Sequence, residues 1–382
     1  MMFPVIAANI AGQGFCEIEW REGVITSVWR LREEDSDEPY CSAGFTDLQV
    51  NGIGGVDFGA PDLTPEAAVR TLRPLWESGV TAFCPTVITN TPDGLRRSFQ
   101  VLGEARRLSP EFAECAVCYH LEGPFLSPGP SHGAHNPELM RDPSWSEFAA
   151  LQAAAGGRIG IVTLAPELPG AIDFIRSATA AGVVVAIGHT DGEAKDVEQA
   201  VEAGCLLSTH LGNGCPEYIH RHRSPIWAQL AARGLSASLI CDGFHLTPEF
   251  VRAVHGLKGR ERCILITDSI HVSGLPPGGY RLGGMSVELH ADGKVSSVGN
   301  AGVLAGSTLR MNRAIARFRE MAGIGLDEAL EAATANPARL LSRGQVCGAP
   351  APGRPANLVL FRPGPDEMTV LEVYVRGISR IR

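Results

Sequence analysis

The central part of the chain, residues 44 to about 344, alternates between short apolar runs and longer amphipathic segments. Runs such as 183–188 (VVVAIG) and 263–267 (CILIT) are apolar throughout, which is typical of parallel strands covered on both faces. Eight such runs begin at Gly44, Thr81, Cys115, Ile159, Val183, Cys205, Ser236 and Cys263. Helical patterns lie between most of them, at residues 65–76, 95–108, 171–181, 193–203 and 248–255. Eight strands alternating with helices predict a (β/α)8 barrel.

The two ends of the chain have a different pattern. Residues 16–20 and 24–28 near the start, and 357–361 and 370–375 near the end, are short segments typical of antiparallel strands. We therefore predict a small β-sandwich domain built from residues 1–43 and 345–382, flanking a barrel domain of residues 44–344. A hairpin-like insertion at 280–297 follows the eighth strand. A doubly wound open sheet is the alternative, but no G-x-G-x-x-G turn follows the first strand.

Composition narrows the range of partners. The chain has 33 basic and 42 acidic residues and a net charge of −9, which disfavours binding to nucleic acid. No apolar stretch approaches the roughly 20 residues of a membrane span, and no basic region precedes the first apolar residues. The ten cysteines are scattered, as expected for thiols in a reducing compartment. Cys115 and Cys118, the one close pair, lie in a predicted strand and would face opposite sides. We expect a cytoplasmic protein with no membrane contact.

Residues capable of acid–base and metal chemistry follow four of the predicted strands. The third strand ends in His120-Leu121-Glu122, the fifth in His189, the sixth in His210 and the eighth in Asp268. Because strand carboxyl ends meet at the active-site mouth of a (β/α)8 barrel, these side chains are expected to converge. Two imidazoles and a carboxylate form a catalytic zinc set with an open position for water or substrate. A nearby Asp268 can move the proton of that water, so the constellation suggests hydrolysis of an amide.

Several longer segments are similar to one known family. The chain resembles the N-acetylglucosamine-6-phosphate deacetylases of the amidohydrolase superfamily, whose motifs occur in family order over nearly its whole length. The matching segments are 44–58 (GFTDLQVNGIGGVDF), 120–128 (HLEGPFLSP), 133–138 (GAHNPE), 188–192 (GHTDG), 209–213 (THLGN), 242–246 (DGFHL), 265–269 (LITDS), 304–315 (LAGSTLRMNRAI) and 353–361 (GRPANLVLF). The resemblance implies a metal-dependent barrel with a sandwich made from both termini.

The resemblance also implies roles for the polar strand ends. Glu122, His189 and His210 would be the metal ligands, and Asp268 would be the general acid and base. Many amidohydrolases have two His at the end of the first strand, where a second metal binds, but Gln49 and Asn51 occupy these positions here. Amide side chains are poor ligands for transition metals, so one divalent ion per subunit is expected. Zinc is the first expectation, and iron, manganese or cobalt are alternatives.

The same match implies contacts with a sugar phosphate and with a second subunit. The predicted substrate-binding residues are His135, Asn213, Gly214 and His245. In the family, an Arg from the partner subunit of a homodimer binds the phosphate, a role that suits the planar guanidinium fork. Arg223 fits the Arg-x-Pro context of that residue, whereas Arg221 better fits its spacing from the sixth strand. We favour Arg223.

The expected activity is removal of the acetyl group from an N-acetylhexosamine 6-phosphate, with N-acetylglucosamine 6-phosphate as the first candidate. Residues 210–215 (HLGNGC) depart from the family's His-Leu-aromatic-Asn-Ala-Met pattern, so a different or unphosphorylated N-acyl amino sugar, or another N-acyl small molecule, is an alternative. A cyclic-amide hydrolase is disfavoured because the two-His motif is absent. A catalytically silent barrel that binds sugar phosphates is a third possibility. His271 is either a partner of the site or an ordinary loop residue.

Overall fold

Four strands open the chain: β1 (Val5–Ile10), β2 (Gly14–Arg21), β3 (Val24–Arg30) and β4 (Tyr40–Ala43). The computed structural model describes residues 5–31, 38–282, 285–342 and 349–382. In β1 and β2 every second side chain is buried, the period of a strand that has one face on a core.

Eight parallel strands then form the barrel. The next ten strands are these eight and a short hairpin, β6–β7: β5 (Phe45–Val50), β6 (Gly52–Ile53), β7 (Val56–Asp57), β8 (Val80–Ile88), β9 (Tyr119–Glu122), β10 (Ile159–Leu164), β11 (Val184–Ile187), β12 (Leu207–Ser208), β13 (Ser236–Leu239) and β14 (Cys263–Leu265). The parallel strands pair in the order β5-β8-β9-β10-β11-β12-β13-β14. A bridge between Val50 and Ser269 brings the last strand back to the first. The predicted barrel is confirmed.

Helices cover the outside of the barrel. They are α1 (Pro65–Arg70), α2 (Leu72–Glu77), α3 (Pro92–Leu108), α4 (Pro110–Cys115), α5 (Trp145–Ala154), α6 (Ala171–Ala180), α7 (Ala194–Ala203), α8 (Pro225–Ala231), α9 (Pro248–Lys258), α10 (Met311–Ala322), α11 (Leu326–Glu331) and α12 (Ala335–Leu340). Five of them begin with Ser or Thr as N-cap and Pro as first helical residue, a pairing that fixes where a helix starts. None of the described helices has the length and apolar character needed to cross a membrane.

One strand prediction was wrong at its start. The segment from Cys115 was predicted as the third strand, but Cys115 is the last residue of α4 and β9 begins at Tyr119. The Ser109 hydroxyl accepts a hydrogen bond from the backbone N–H of Phe112 at 3.1 Å and begins this short helix. The pair Cys115 and Cys118 therefore lies before the strand.

The insertion after β14 is larger than the predicted hairpin. Its four strands form one antiparallel sheet: β15 (Gly278–Leu282), β16 (Met285–Leu289), β17 (Val295–Ser297) and β18 (Asn300–Leu304). A separate apolar cluster that includes Ile270, Val287 and Val295 packs beneath it. The insertion thereby lies beside the carboxyl ends of the barrel strands, next to Asp268.

The two chain ends meet in one sheet. Three final strands, β19 (Leu358–Arg362), β20 (Thr369–Val375) and β21 (Ile378–Ile381), extend the order to β21-β20-β19-β4-β1-β2-β3. The sheet folds over on itself, because the ring of Trp20 in β2 lies 5.3 Å from that of Tyr374 in β20. Strands from both ends thus enclose one small core, as predicted. The exact domain limits stay a prediction, and the limit at 344/345 lies outside the described residues.

Candidate active site

One cavity of about 650 Å³ lies at the carboxyl ends of the barrel strands. Its volume is in the range of small-molecule sites. Glu122 is the last residue of β9, and His189, His210 and Asp268 follow β11, β12 and β14. All four side chains are buried and line this cavity. The structure therefore brings together the four residues that the strand ends singled out.

The backbone at three of these positions is unusual. His189, His210 and Asp268 have φ angles of 49°, 32° and 50°. Non-glycine residues rarely adopt this left-handed conformation, and it concentrates at functional sites. At each position the chain turns directly after a barrel strand, and the side chain lines the cavity.

Glu122, His189 and His210 form a compact set of metal-capable groups. The Nε2 atom of His210 lies 2.9 Å from Oε1 of Glu122, and Nε2 of His189 lies 3.5 Å from the same oxygen. One ligand atom from each residue lies within 4.8 Å of the others. Ligands placed tetrahedrally around one zinc ion stand about 3.3 Å apart, so these separations fit a single divalent ion. Burial raises the pKa of Glu122, but the neighbouring His189 and His210 side chains outweigh this effect and keep that pKa well below its usual range.

Two neighbours fix the His189 ring. Its Nδ1 lies 2.9 Å from the carbonyl oxygen of Ser131, which can only accept, so Nδ1 donates and Nε2 keeps a free lone pair toward Glu122. Glycines flank the ring: a Cβ on Gly214 would lie 2.8 Å from its Nδ1, and one on Gly133 would lie 3.0 Å from its Cε1. Both glycines have left-handed φ angles, of 56° and 57°. The tautomer and position of His189 are thus set by two loops.

Gln49 and Asn51 hold the carboxylates of the site. Gln49 Nε2 donates to Oε1 of Glu122 at 2.8 Å and to Oδ1 of Asp268 at 3.0 Å. Asn51 Nδ2 donates to the same Asp268 oxygen at 2.7 Å. Both amides use their donor groups here, so in this arrangement they orient carboxylates and do not present ligand atoms.

Asp268 lies in an environment that favours proton exchange. Burial and the nearby charge of Glu122 raise the pKa of Asp268 to about 6, although His210, His245 and the Asn51 amide oppose this rise. The backbone N–H of Asp268 donates to the Gln49 carbonyl at 3.0 Å, which fixes it against β5. Catalytic acids and bases work best when their pKa lies near the working pH.

Sequence analysis did not assign roles to the residues beneath the site. His120 points into the barrel two residues before Glu122, where its Nε2 lies 2.8 Å from the Thr163 hydroxyl. Thr163 in turn contacts the hydroxyl of Thr209, directly before His210, at 2.9 Å. Asp47 accepts from the Thr267 hydroxyl at 2.6 Å, next to Asp268. The alternation of inward and outward positions along each strand was the signal that places them one layer deeper.

The predicted substrate-binding residues also line the cavity, with the exception of Arg223. His135 lies with its Nδ1 2.8 Å from the Thr89 hydroxyl, and its ring is 4.4 Å from that of His189. His245 Nδ1 lies 2.7 Å from Oδ2 of Asp242, a partner that sequence analysis did not identify. Asn213 and Gly214 form part of the wall.

The basic loop, residues 220–224, does not line this cavity, although Glu217 and Tyr218 just before it do. Arg221 and Arg223 are exposed, and no Arg or Lys is among the described residues that line it. On either side of this loop, the Tyr218 side chain at the rim of the cavity is 89% exposed and the Trp227 side chain in α8 is 51% exposed. Two arginines and two large aromatic groups are therefore exposed in this part of the surface.

His271 does not line the cavity. Burial lowers its pKa, and the Asp57 carboxylate opposes this shift. Its ring lies 6.2 Å from Tyr280 of β15, and its backbone carbonyl accepts from the N–H of Gly55 at 2.8 Å. It therefore joins the β6–β7 hairpin to the insertion.

Comparison with known proteins identifies the family to which this chain belongs. The sequence profile described as "Amidohydrolase family" matches residues 40–378, which include the whole barrel and three of the seven terminal strands, β4, β19 and β20. The chain belongs to the amidohydrolase family. The resemblance drawn from its motifs is therefore confirmed.

Curated relatives of this amidohydrolase are deacetylases of amino sugar phosphates. The N-acetylglucosamine-6-phosphate deacetylase of Danio rerio is 31% identical over 351 residues, which are 90% of this chain and 85% of that protein. The N-acetylgalactosamine-6-phosphate deacetylase of Escherichia coli O157:H7 is 31% identical over 362 residues, covering 93% and 92%. Relatives of this amidohydrolase thus differ in the sugar that their names give.

A solved structure agrees in fold over the full length. The amidohydrolase superposes on a mutant of N-acetyl-D-glucosamine-6-phosphate deacetylase from Mycobacterium smegmatis, in complex with N-acetyl-D-glucosamine-6-phosphate, with a TM-score of 0.89. The two chains are 28% identical, and the match covers 100% of each. The combination of barrel and terminal sheet is therefore that of a solved amidohydrolase.

Proposed function

We propose that this amidohydrolase hydrolyses the N-acetyl group of an N-acetylhexosamine 6-phosphate and releases acetate and the free amino sugar phosphate. The observation that carries the reaction class is the buried set of Glu122, His189 and His210 beside Asp268 in one cavity. The substrate class is supported by the names of curated relatives that match about 90% of the chain.

Glu122, His189 and His210 would hold one divalent metal ion, with zinc as first choice and iron, manganese or cobalt as alternatives. When bound, such an ion polarises the amide carbonyl and increases the acidity of a water molecule. The chain itself supplies the orientation: Ser131 fixes the tautomer of His189, and Gln49 fixes Glu122. Hydrogen bonds that orient the metal ligands in this way sustain metal affinity.

We expect one metal equivalent per chain after loading with zinc and dialysis, because Gln49 and Asn51 donate to carboxylates where a second ion would need ligands. Elemental analysis of the loaded protein measures the ratio directly. A stable ratio of two would contradict the proposed role of both amides.

Asp268 would move the proton. Its carboxylate takes a proton from the attacking water as oxygen bonds to the acetyl carbon, and returns it to the sugar nitrogen as the C–N bond breaks. Asn51 and Gln49 hold one carboxylate oxygen by two hydrogen bonds, which leaves the other oxygen for this exchange. Its raised pKa suits a group that must both accept and donate a proton near neutral pH.

His135, Asn213, Gly214 and His245 would bind the sugar. His245 is oriented by Asp242 and His135 by Thr89, so both rings have a fixed direction. Fixed rings lose little conformational entropy when substrate binds.

Among the described residues that line the cavity there is no Arg or Lys to bind the phosphate. We propose a homodimer in which Arg223 of a second copy, with Arg221 as the alternative, enters the active site. The exposed Tyr218 just before the loop and Trp227 in α8 just after it support a contact at this surface. A cytoplasmic location is supported by buried thiols without disulfides, such as Cys205, Cys241 and Cys263.

Arg223→Ala is expected to raise KM for N-acetylglucosamine 6-phosphate by about 10²-fold, because charge-assisted bonds to phosphate are lost. KM for unphosphorylated N-acetylglucosamine should not change. Steady-state kinetics with both sugars measures the effect, and Arg221→Ala is the matched control. If Arg221→Ala raises this KM more than Arg223→Ala does, Arg221 is the phosphate-binding residue. If neither variant changes KM, the proposal of a partner arginine is overturned.

A second candidate is an unphosphorylated N-acyl amino sugar, favoured by the lack of Arg and Lys among the described lining residues. An acetate-release screen separates the candidates. It compares N-acetylglucosamine, N-acetylgalactosamine and N-acetylmannosamine, each with and without the 6-phosphate. We expect the highest kcat/KM with a phosphorylated sugar. No acetate from any phosphorylated sugar would refute the proposed function.

A further inference from the structure

A second cleft lies at the opposite end of the barrel from the active site. Its volume is about 780 Å³, and residues of α3 and α5, together with the first residue of β9, form its walls. That residue is Tyr119, whereas Glu122 at the other end of the same strand belongs to the active site. The two sites therefore share no residues.

Three arginines gather at this cleft. Arg106 and Arg107 come from the last turn of α3, and Arg158 directly precedes β10. Glu104 is the only acid among the described lining residues, and it lies 3.9 Å from Arg107 with both groups well exposed, so the pair contributes little. The backbone carbonyl of Arg158 accepts from the N–H of Tyr119 at 2.8 Å, but its guanidinium has no hydrogen-bond or ion-pair partner within the described ranges. A net positive cluster is notable in a chain of net charge −9.

A buried hydroxyl without a partner lies among these charges. Tyr119 is fully buried and its ring stacks on Phe99 at 5.8 Å, but its hydroxyl has no hydrogen-bond partner among the described residues. Burial raises the pKa of Tyr119 to about 12, while the charges of Arg106, Arg158 and Arg107 oppose that rise. Buried hydroxyls without a partner are uncommon, because each has lost its hydrogen bonds to water without gaining one from the protein.

The position of two of these arginines has a partial structural explanation. Positive side chains in the last turn of a helix interact favourably with its carboxyl end, as Arg106 and Arg107 do on α3. Arg106 also donates to the carbonyl of Ala116. Helix stabilisation does not account for Arg158, which lies outside any helix, or for the Tyr119 hydroxyl. The Arg158 guanidinium and the Tyr119 hydroxyl are both donors that have no hydrogen-bond acceptor among the described residues.

We infer that this cleft binds the phosphoryl group of a small molecule through Arg107, Arg158 and the Tyr119 hydroxyl. Guanidinium groups bind phosphate oxygens in pairs, and a phosphoryl group offers enough acceptors for the phenol as well. A neighbouring cavity shares Arg106 and Arg158 and adds Arg354 and Arg376, although Glu114, which also lines it, lies 2.8 Å from Arg376 and offsets that charge. The inference does not depend on the proposed deacetylase activity.

Isothermal titration calorimetry of the metal-loaded, full-length protein tests this site with inorganic phosphate and with glucosamine 6-phosphate. In the double variant Arg107→Gln/Arg158→Gln, the dissociation constant of one class of binding sites, the cleft, is expected to rise at least tenfold. Binding at the active site should persist as a separate class. The probe that binds this cleft more tightly in the wild type identifies whether free phosphate or a phosphorylated sugar is its ligand.

Two further variants control the result. Tyr119→Phe should weaken the same class about fivefold while the thermal unfolding temperature stays equal or rises, because it removes an unsatisfied hydroxyl. Arg96 is an exposed arginine in the second turn of α3, and Arg96→Gln should leave both classes unchanged. Identical titrations of the wild type and the double variant would overturn the inference, as would an equal loss in Arg96→Gln. Because the readout is binding, failure here is distinct from an absence of deacetylation.

Discussion

Replacing Asp268 with Asn is expected to lower kcat for acetate release by about 10³-fold, within the range for loss of a general acid–base group. Asn has the same shape, and its carbonyl oxygen can still accept the hydrogen bonds from Gln49 and Asn51, so the fold should persist. It cannot take up the proton of the attacking water. Steady-state measurement of acetate release gives the effect, and the metal content of the variant should match that of the wild type.

The matched control is Asp62→Asn, which changes an exposed carboxylate that does not line the cavity. Its kcat is expected to stay within about twofold of the wild type, as for most surface changes. Retention of more than about one tenth of the wild-type kcat in Asp268→Asn would remove this residue from the proton path.

The second large effect is expected when one of the three proposed metal ligands, Glu122, His189 and His210, is replaced. His189→Asn is expected to weaken metal binding by at least about 10²-fold and to lower acetate release by about 10³-fold, because one of three ligand positions loses its imidazole. The remaining pair, Glu122 and His210, can bind a divalent ion only weakly. Elemental analysis after dialysis measures the metal, and the same sample serves for the assay.

A histidine outside the cavity provides the comparison. His290 contacts the Ser296 hydroxyl at 2.8 Å in the insertion, and His290→Asn should retain both metal and activity. Full metal content in His189→Asn would show that the ion is held elsewhere. Added zinc should also restore part of the activity of His189→Asn if the loss is one of affinity.

The barrel could be predicted because its physical requirements are local. Strands covered on both faces must be apolar throughout, and helices that start at Ser-Pro or Thr-Pro carry their own start signal. The wrong start at Cys115 has the same origin: residues 115–119 are apolar, but the Ser109-Pro110 signal before them begins a helix that ends at Cys115. An apolar run alone does not distinguish the end of a helix from the start of a strand.

The chemical residues of the site were predictable for a topological reason. Parallel strands deliver their carboxyl ends to one mouth, so Glu122, His189, His210 and Asp268 had to converge. The residues that support them come from loops far apart in sequence. Ser131 reaches His189 across 58 positions, and no periodicity indicates such a contact. The role of the basic loop is harder still to predict from the sequence, because the proposed role depends on a second copy of the chain.

Acetate release from N-acetylglucosamine 6-phosphate by the metal-loaded wild type tests the central claim most directly. We predict that acetate and a primary amine appear in equal amounts, that a chelator stops both, and that restored zinc recovers both. Release of neither product from this sugar or its galacto and manno isomers, by protein with a full metal content, would contradict the account.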